Sequence, residues 1–363
     1  MKANLEQDWA YCEQALVDVS RTFSKPIELL PEPLRVALTT AYLLCRVVDT
    51  VEDYAPLGSS ERDELFTRFI AVLDGQASPE SFSLAFANVP VEDAEIRLAR
   101  SLARVMRVFD GQDTATRRAT VIWLSEMANG MRLYCRRDRP GTLSTLFTFS
   151  DLERYCYFVA GTVGHLITDL FCEFMEAGSS PLEPELRARA ESFGIGLQMV
   201  NILKDVTDDF ARQRCYVPRQ SCRAEGFAPE RLLAPEHRQK AHRAIAPMFE
   251  AAARHLDDAL EYTLLIPPQY VQLRLFCLLP LYMAQQTLIV AVGNDAMLKP
   301  DQPVKISRDA VDEVIQDCLR HANDDGVLRR RYAGYAAQFR ERLASLQPGS
   351  RPFAAPAGRH ARA

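Results

Sequence analysis

Apolar residues recur every three or four positions through most of this chain, and alternating strand patterns are scarce. The helical segments are divided by breakers at Pro31 to Pro33, Pro56 to Ser60, Pro90, Pro140-Gly141, Gly178 to Pro181, Pro218, Pro267-Pro268 and Pro300. The pattern predicts roughly ten helices with short connections, an all-α bundle. Ser150 and Glu153, in SDLE, predict a capping box ahead of the apolar run YCYFVAG. The most apolar run, Leu273 to Val292, is interrupted by Arg274, Pro280, Gln285 and Gln286, so it reads as a buried helix and not a membrane span. The end, QPGSRPFAAPAGRHARA, has almost no large apolar residues and is expected to be a disordered tail over 346–363, after one helical domain over 1–345.

Composition narrows the class. The 363 residues are 48% hydrophobic and 25% charged, ordinary for a globular protein. A net charge of −5 gives no electrostatic footprint for nucleic acid. Nine cysteines lie scattered through apolar stretches without a CxxC pair, which argues for small core residues and against zinc. The N-terminus lacks a basic start followed by an apolar run, so no secretory signal is expected.

Two acidic boxes break the pattern. The first, DTVED, ends an apolar segment beginning near Leu34, and Tyr42, Arg46, Asp49 and Asp53 follow along one helical stripe. In the second, DVTDD, the residues Gln198, Asn201, Asp205 and Asp209 recur in the same way, with Lys204, Arg212 and Arg214 close by. Like charges one turn apart cost roughly 0.2–0.5 kcal/mol per pair on a helix. Aligned carboxylates and amides in apolar surroundings therefore read as oxygen ligands for Mg²⁺, and Mg²⁺ on carboxylates suits a diphosphate. The competing reading is a pair of solvated acidic helix faces. Gly161 and Gly164, in YFVAGTVG, serve either close helix packing or room for an elongated apolar ligand. Gly194-Ile195-Gly196 lacks the preceding strand and third glycine of a dinucleotide fingerprint. His165 is read as structural.

SRTF (Ser20 to Phe23), YLLCRVVDTVED (Tyr42 to Asp53), YCYFVAGTVG (Tyr155 to Gly164), LQMVNILKDVTDD (Leu197 to Asp209) and RCYVP around Cys215 together resemble the squalene and phytoene synthase family, the head-to-head prenyltransferases. RLFCLLPLYMAQQTL (Arg274 to Leu288) and PVKISR (Pro303 to Arg308) resemble segments of squalene synthases that phytoene synthases generally lack, so the resemblance covers residues 8 to 320 and leans that way.

The resemblance implies an isoprenoid synthase-type bundle around a central cavity. It implies Mg²⁺-dependent joining of two farnesyl diphosphates through presqualene diphosphate, followed by reduction with NADPH to squalene. Carried over by motif, Asp49, Asp53, Asn201, Asp205 and Asp209 would hold metal. Arg46, Lys204 and Arg212 would neutralise diphosphate, and Ser20, Arg21 and Phe23 would give phosphate contacts and a cavity wall. Tyr155 and Tyr42 would be active-site tyrosines. Val159, Gly161, Leu197, Gln198, Phe276, Cys277 and Pro280 would border the substrate, and Lys305 and Arg308 would meet the NADPH phosphate.

Three departures stand out: Lys204 replaces a usual arginine, Ser307 stands where some members are basic, and the tail lacks the C-terminal anchor of eukaryotic squalene synthases. The resemblance thus implies a cytoplasmic enzyme, soluble or loosely membrane-associated for product release. Other products within the same chemistry are phytoene, dehydrosqualene, presqualene diphosphate and hydroxysqualene. A non-catalytic homologue is the reading from a different class.

Overall fold

The computed structural model describes residues 2–20, 22–54, 58–89, 93–139, 141–176, 178 and 181–346. Among them the α-helices are Lys2–Val19 (α1), Ser24–Glu28 (α2), Leu34–Asp53 (α3), Ser59–Leu73 (α4), Pro79–Ser83 (α5), Ala94–Arg100 (α6), Leu102–Asp110 (α7), Thr114–Cys135 (α8) and Phe149–Cys156 (α9). They continue with Thr162–Phe174 (α10), Leu182–Lys204 (α11), Val206–Ala211 (α12), Arg219–Ala224 (α13), Arg238–Leu265 (α14), Val271–Ala291 (α15), Arg308–His321 (α16) and Asp325–Ala344 (α17). The fold is all-α, as the periodicity predicts. The count exceeds ten because short pieces such as α2, α5, α12 and α13 carry too few residues to show a period. The predicted tail lies, from residue 347 on, outside the described residues.

The extended pairing among the described residues is minimal: Ser144–Thr145 (β1) runs parallel to Arg214–Cys215 (β2). It ties the loop after α8 to the segment after α12.

Prolines and caps are placed by local chemistry. The predicted capping box moves two residues back: Thr148 caps α9, its Oγ1 accepting from the Asp151 amide at 3.1 Å. The Asp151 carboxylate in turn accepts from the Phe147 amide at 3.1 Å, which satisfies a second free donor of the helix start. Between α9 and α10 the backbone makes a π-helical turn, Tyr157–Gly161, in which the Thr162 amide bonds to the Tyr157 carbonyl. The run is thus one long helix with an extra residue in it.

Pro280 does not end α15; the helix continues through it, surrounded by core. By length and composition α15 would cross a membrane, yet 83% of its apolar window is buried inside the protein. Its Arg274 is fully buried, and each of its three nitrogens donates. It donates to the carbonyls of Ile266 (2.6 Å), Leu264 (3.1 Å) and Ala322 (3.2 Å) and pairs with Asp325 (2.6 Å). That pattern is a staple between helix ends.

The packing positions the site. Helix α3 packs on α10, α10 on α11, α11 on α15, α15 on α2, and α2 back on α3, which closes a ring of helices. The seam between α10 and α11 is unusually tight. A Cβ added to Gly164 would lie 2.0 Å from the Ala190 carbonyl oxygen, and one added to Gly194 would lie 1.9 Å from that of Ala160. Only glycine lets the two backbones meet there.

Candidate active site

The first box closes α3, which ends at Asp53 with Tyr54 as its C-cap. Asp49 is only 21% exposed, and Arg46 donates to it at 2.9 Å while holding Glu95 at 3.1 Å. Burial pushes the Asp49 carboxyl up to about 6; Arg46 opposes this and neighbouring Asp53 adds to it. The Nε of Arg46 is buried without a hydrogen-bond partner. One and two turns back, Tyr42 and neighbouring residues form an aromatic wall. The Tyr42 ring lies 5.9 Å from Phe23, Phe23 lies 6.4 Å from Phe276, and Phe276 lies 5.7 Å from Phe171. Ser20 is buried, accepts from the Phe23 amide at 3.0 Å and bonds the Tyr42 hydroxyl, which burial pushes up. Ser20, Phe23, Tyr42 and Phe276, predicted from three separate segments, therefore meet, and Phe171 joins them. Arg21 lies outside the described residues.

The second box departs from the single helical stripe expected of it. Helix α11 stops at Lys204, and Asp205 (φ −107°, ψ 16°) is the hinge to α12. A carboxylate at a helix C-terminus opposes the helix dipole, which favours the break. The vertical spacing survives, because the Asp205 amide still bonds the Asn201 carbonyl at 3.1 Å and the Asp209 amide the Asp205 carbonyl at 2.9 Å. Lys204 pairs with Asp205. Asn201 and Arg212 are exposed; Gln198 and Leu197 are half-buried. Burial pushes the Asp209 carboxyl up to about 7, with Asp205 and Asp53 adding and Arg212 and Arg214 opposing. Arg214, five residues past Asp209, bonds Glu52 inside the first box, so the chain brings the two boxes close together, and Asp53 adds to the rise of Asp209.

A buried polar cluster lies behind the boxes, and most of it was not singled out from the sequence. Arg214 donates through Nη1 to the Glu52 carboxylate at 2.8 Å and through Nη2 to the Glu52 carbonyl at 2.8 Å. The Tyr155 hydroxyl donates to Glu52 at 3.3 Å and lies 2.9 Å from the Tyr216 hydroxyl. The two rings stack at 4.8 Å, and Tyr134 sets its edge on Tyr155 at 5.2 Å. Asp138 takes Arg62 at 3.1 Å and lies 3.8 Å from Arg214. Burial pushes Glu52 up to about 7 against the pull of Arg214, with Asp53 and Asp49 adding to the rise. Burial also raises the hydroxyls of Tyr155 and Tyr216 well above the usual phenol range. Glu52 stands inside DTVED and Tyr216 inside RCYVP, so both were visible as letters. Their partnership depends on the β1–β2 pairing, which two-residue strands do not announce.

The remaining predicted residues are placed as follows. Val159 is half-buried in the π turn, and Cys277 and Pro280 are buried in α15. Gly161 faces α11: a Cβ there would meet Tyr157 at 2.9 Å and Glu191 and Ile195 at 3.5 Å. Helix packing of the π turn against α11 is thus sufficient reason for this glycine. Lys305 and Arg308 are exposed, and Ser307 caps α16 by accepting from the Ala310 amide at 3.1 Å. The 3₁₀ turn Asp295–Leu298 before them packs on α12, so this segment leaves from the side of the second box. His165 stacks on Trp123 at 4.6 Å, a packing role. All nine cysteines are free and buried.

Among the described residues no three His, Cys, Asp or Glu side chains gather closely enough to hold a metal by themselves. The donor set nevertheless fits a hard divalent cation: four aspartates and one amide, all oxygen, with Asp49 raised by burial and Asp53, and Asp209 by burial, Asp205 and Asp53. Mg²⁺ characteristically takes one or two carboxylates and completes its shell with water and phosphate oxygens.

An all-helical ring that brings two acidic pairs close together, with an aromatic wall along the helix of the first, is an isoprenoid synthase-type fold. The chain belongs to the squalene/phytoene synthase family, whose model matches residues 16–310. It is 27% identical over 315 residues to the squalene synthase of Schizosaccharomyces pombe, covering 86% of this chain and 65% of that protein. It is 27% identical over 314 residues to squalene synthase 1 of Arabidopsis thaliana, covering 85% and 71%. The chain thus spans about two thirds of the length of these curated relatives. Its fold is similar to that of TcSQS in a ligand complex, with a TM-score of 0.76 at 22% identity over 94% of this chain and 96% of that one. It is also similar to a dehydrosqualene synthase in complex with a ligand, with a TM-score of 0.62 at 20% identity over 87% and 97%. Membership in this family implies a prenyltransferase.

Proposed function

We propose that this protein is a squalene synthase: it joins two farnesyl diphosphates head to head through presqualene diphosphate and reduces that intermediate to squalene with NADPH. The observation that carries the reading is the meeting of the two boxes, whose segments Arg214 ties together through the Glu52 carboxylate and carbonyl at 2.8 Å each. Such a concentration of carboxylates is useful where a multiply charged anion and its cations arrive together.

Asp49, Asp53, Asn201, Asp205 and Asp209 would hold Mg²⁺, which supplies the positive charge that stabilises a departing diphosphate. The protein's own cations share that task. Arg46 offers a buried, unpartnered Nε, and Lys204 and Arg212 flank the second box. When the first substrate ionises, its C1–O bond breaks and the electron pair leaves with diphosphate. The second substrate's double bond attacks the allylic cation, and loss of a proton closes the cyclopropane. Phe23, Tyr42, Phe171 and Phe276 wall the ring with apolar surface, which keeps water from capturing the cation. The Tyr155 hydroxyl, fixed between Glu52 and Tyr216, keeps its proton and is an oriented oxygen beside the first box. NADPH would deliver hydride to the second cation, with Lys305 and Arg308 at its phosphate. The protein is proposed to act in the cytoplasm.

One assay tests this. The purified protein is incubated with farnesyl diphosphate and Mg²⁺, with and without NADPH, and the extracted products are identified. Squalene formed only with NADPH is the expected result. A forty-carbon product from geranylgeranyl diphosphate would assign a phytoene synthase, and no turnover of either substrate would sink the enzymatic reading.

A further inference from the structure

Away from the acidic boxes, one surface combines exposed apolar side chains with an excess of cations. Phe147 is 54% exposed and Leu133 41%. Phe147, Arg137 and Arg154 converge with Thr148, Ser150 and Asp151 on an open cleft of about 390 Å³. The Arg219 guanidinium lies 5.4 Å over the Phe147 ring, and its Nε is buried without a partner. Exposed Arg223 follows one turn later on α13, and Leu133 stands in the last turn of α8, shortly before Arg137. Asp151 neutralises Arg137 at 3.1 Å. Arg154, Arg219 and Arg223 have no ion pair among the described residues, against Glu153 as the remaining acid of this stretch.

We propose that this face docks on an anionic lipid bilayer. The protein as a whole carries −5, so attraction to an anionic surface must be a property of this patch and not of the chain. Phe147 has no polar handle, yet it projects from a loop among guanidinium groups. A headgroup layer accommodates that combination, with arginines at the phosphates and the ring at the acyl boundary. The patch also adjoins the candidate active site. Arg137 covers the Tyr134 ring at 4.6 Å, and the Tyr134 edge meets Tyr155 at 5.2 Å. On the reaction proposed above, a hydrocarbon product leaving past these rings would enter lipid directly; this last point rests on that reaction, whereas the docking surface does not.

The test is co-sedimentation of the full chain with phosphatidylcholine vesicles, with and without phosphatidylglycerol. Binding to the anionic vesicles alone, weakening as salt rises, is expected. The double variant Arg154→Glu with Arg223→Glu is expected to lower the bound fraction at least about tenfold, while Arg154→Lys with Arg223→Lys retains it. Circular dichroism shows that each variant is folded. Phe147→Ser is expected to weaken binding without changing product formation in detergent. Equal binding to neutral vesicles, no vesicle binding, or binding indifferent to charge reversal would overturn the proposal. Wild-type protein that forms product but does not bind the anionic vesicles refutes the surface alone; wild-type protein that binds them but forms no product refutes the reaction alone.

Discussion

Asp49 and Asp209 carry the site's electrostatic cost. Their carboxyls sit at about 6 and about 7, against an ordinary value of 3.8, because the folded protein disfavours their charged forms. A raised carboxyl favours the folded state fully below its unfolded pKa, and that contribution is lost as pH climbs through the folded value. The thermal midpoint of the metal-free protein should therefore fall between pH 4 and pH 7 as these groups ionise. Asp209→Asn should flatten that fall, as calorimetry across the range would show; an unchanged slope would contradict the assignment. The variants Asp49→Asn and Asp205→Asn are expected to abolish product formation, by at least about a hundredfold, while circular dichroism stays that of the wild type. The aspartates were legible in the sequence because a period of four in an apolar context is visible in a string. Glu52 was not, since a buried acid beside two exposed-looking ones differs from them only in what it faces.

At the scale of elements, the helices that need length to show themselves were the readable ones. The segment expected to begin near Leu34 and end with the first box is α3, Leu34–Asp53. The hinge at Asp205 was hidden, because a one-residue departure of ψ leaves the amide ladder and the side-chain spacing nearly intact. The glycines were readable as a puzzle with two answers, and the seam with α11 shows the packing one at Gly164, where a Cβ would lie 2.0 Å from the Ala190 carbonyl oxygen. Gly164→Ala removes the helix penalty of glycine, roughly 1 kcal/mol, but drives a methyl into the Ala190 carbonyl. Overpacking against backbone costs roughly 1–3 kcal/mol, so a net loss of stability is expected in urea unfolding. A stabilised variant would mean that the seam can open.

Over the whole molecule, Arg214 links what the chain keeps far apart. It reaches from β2, just past the second box, to Glu52 inside the first, and so sets the distance between the two acidic pairs. Arg214→Gln is expected to cut turnover roughly 10–100-fold and to raise the Mg²⁺ concentration needed for half-maximal rate, as loss of a group supporting metal ligands does. Arg214→Lys should recover only part of this, because an ammonium cannot span carboxylate and carbonyl as a fork does. An unchanged Mg²⁺ requirement in both variants would leave Arg214 a fold-stabilising residue only. The π turn between α9 and α10 has its own consequence at this scale. An α-helix advances about 100° per residue, so one inserted residue rotates everything after it by that amount. Tyr155 before the turn is phased to the buried acids, and Gly164 after it is phased to the neighbouring backbone. A straight helix would have to keep both appointments with a single phase; the extra residue gives each half its own clock.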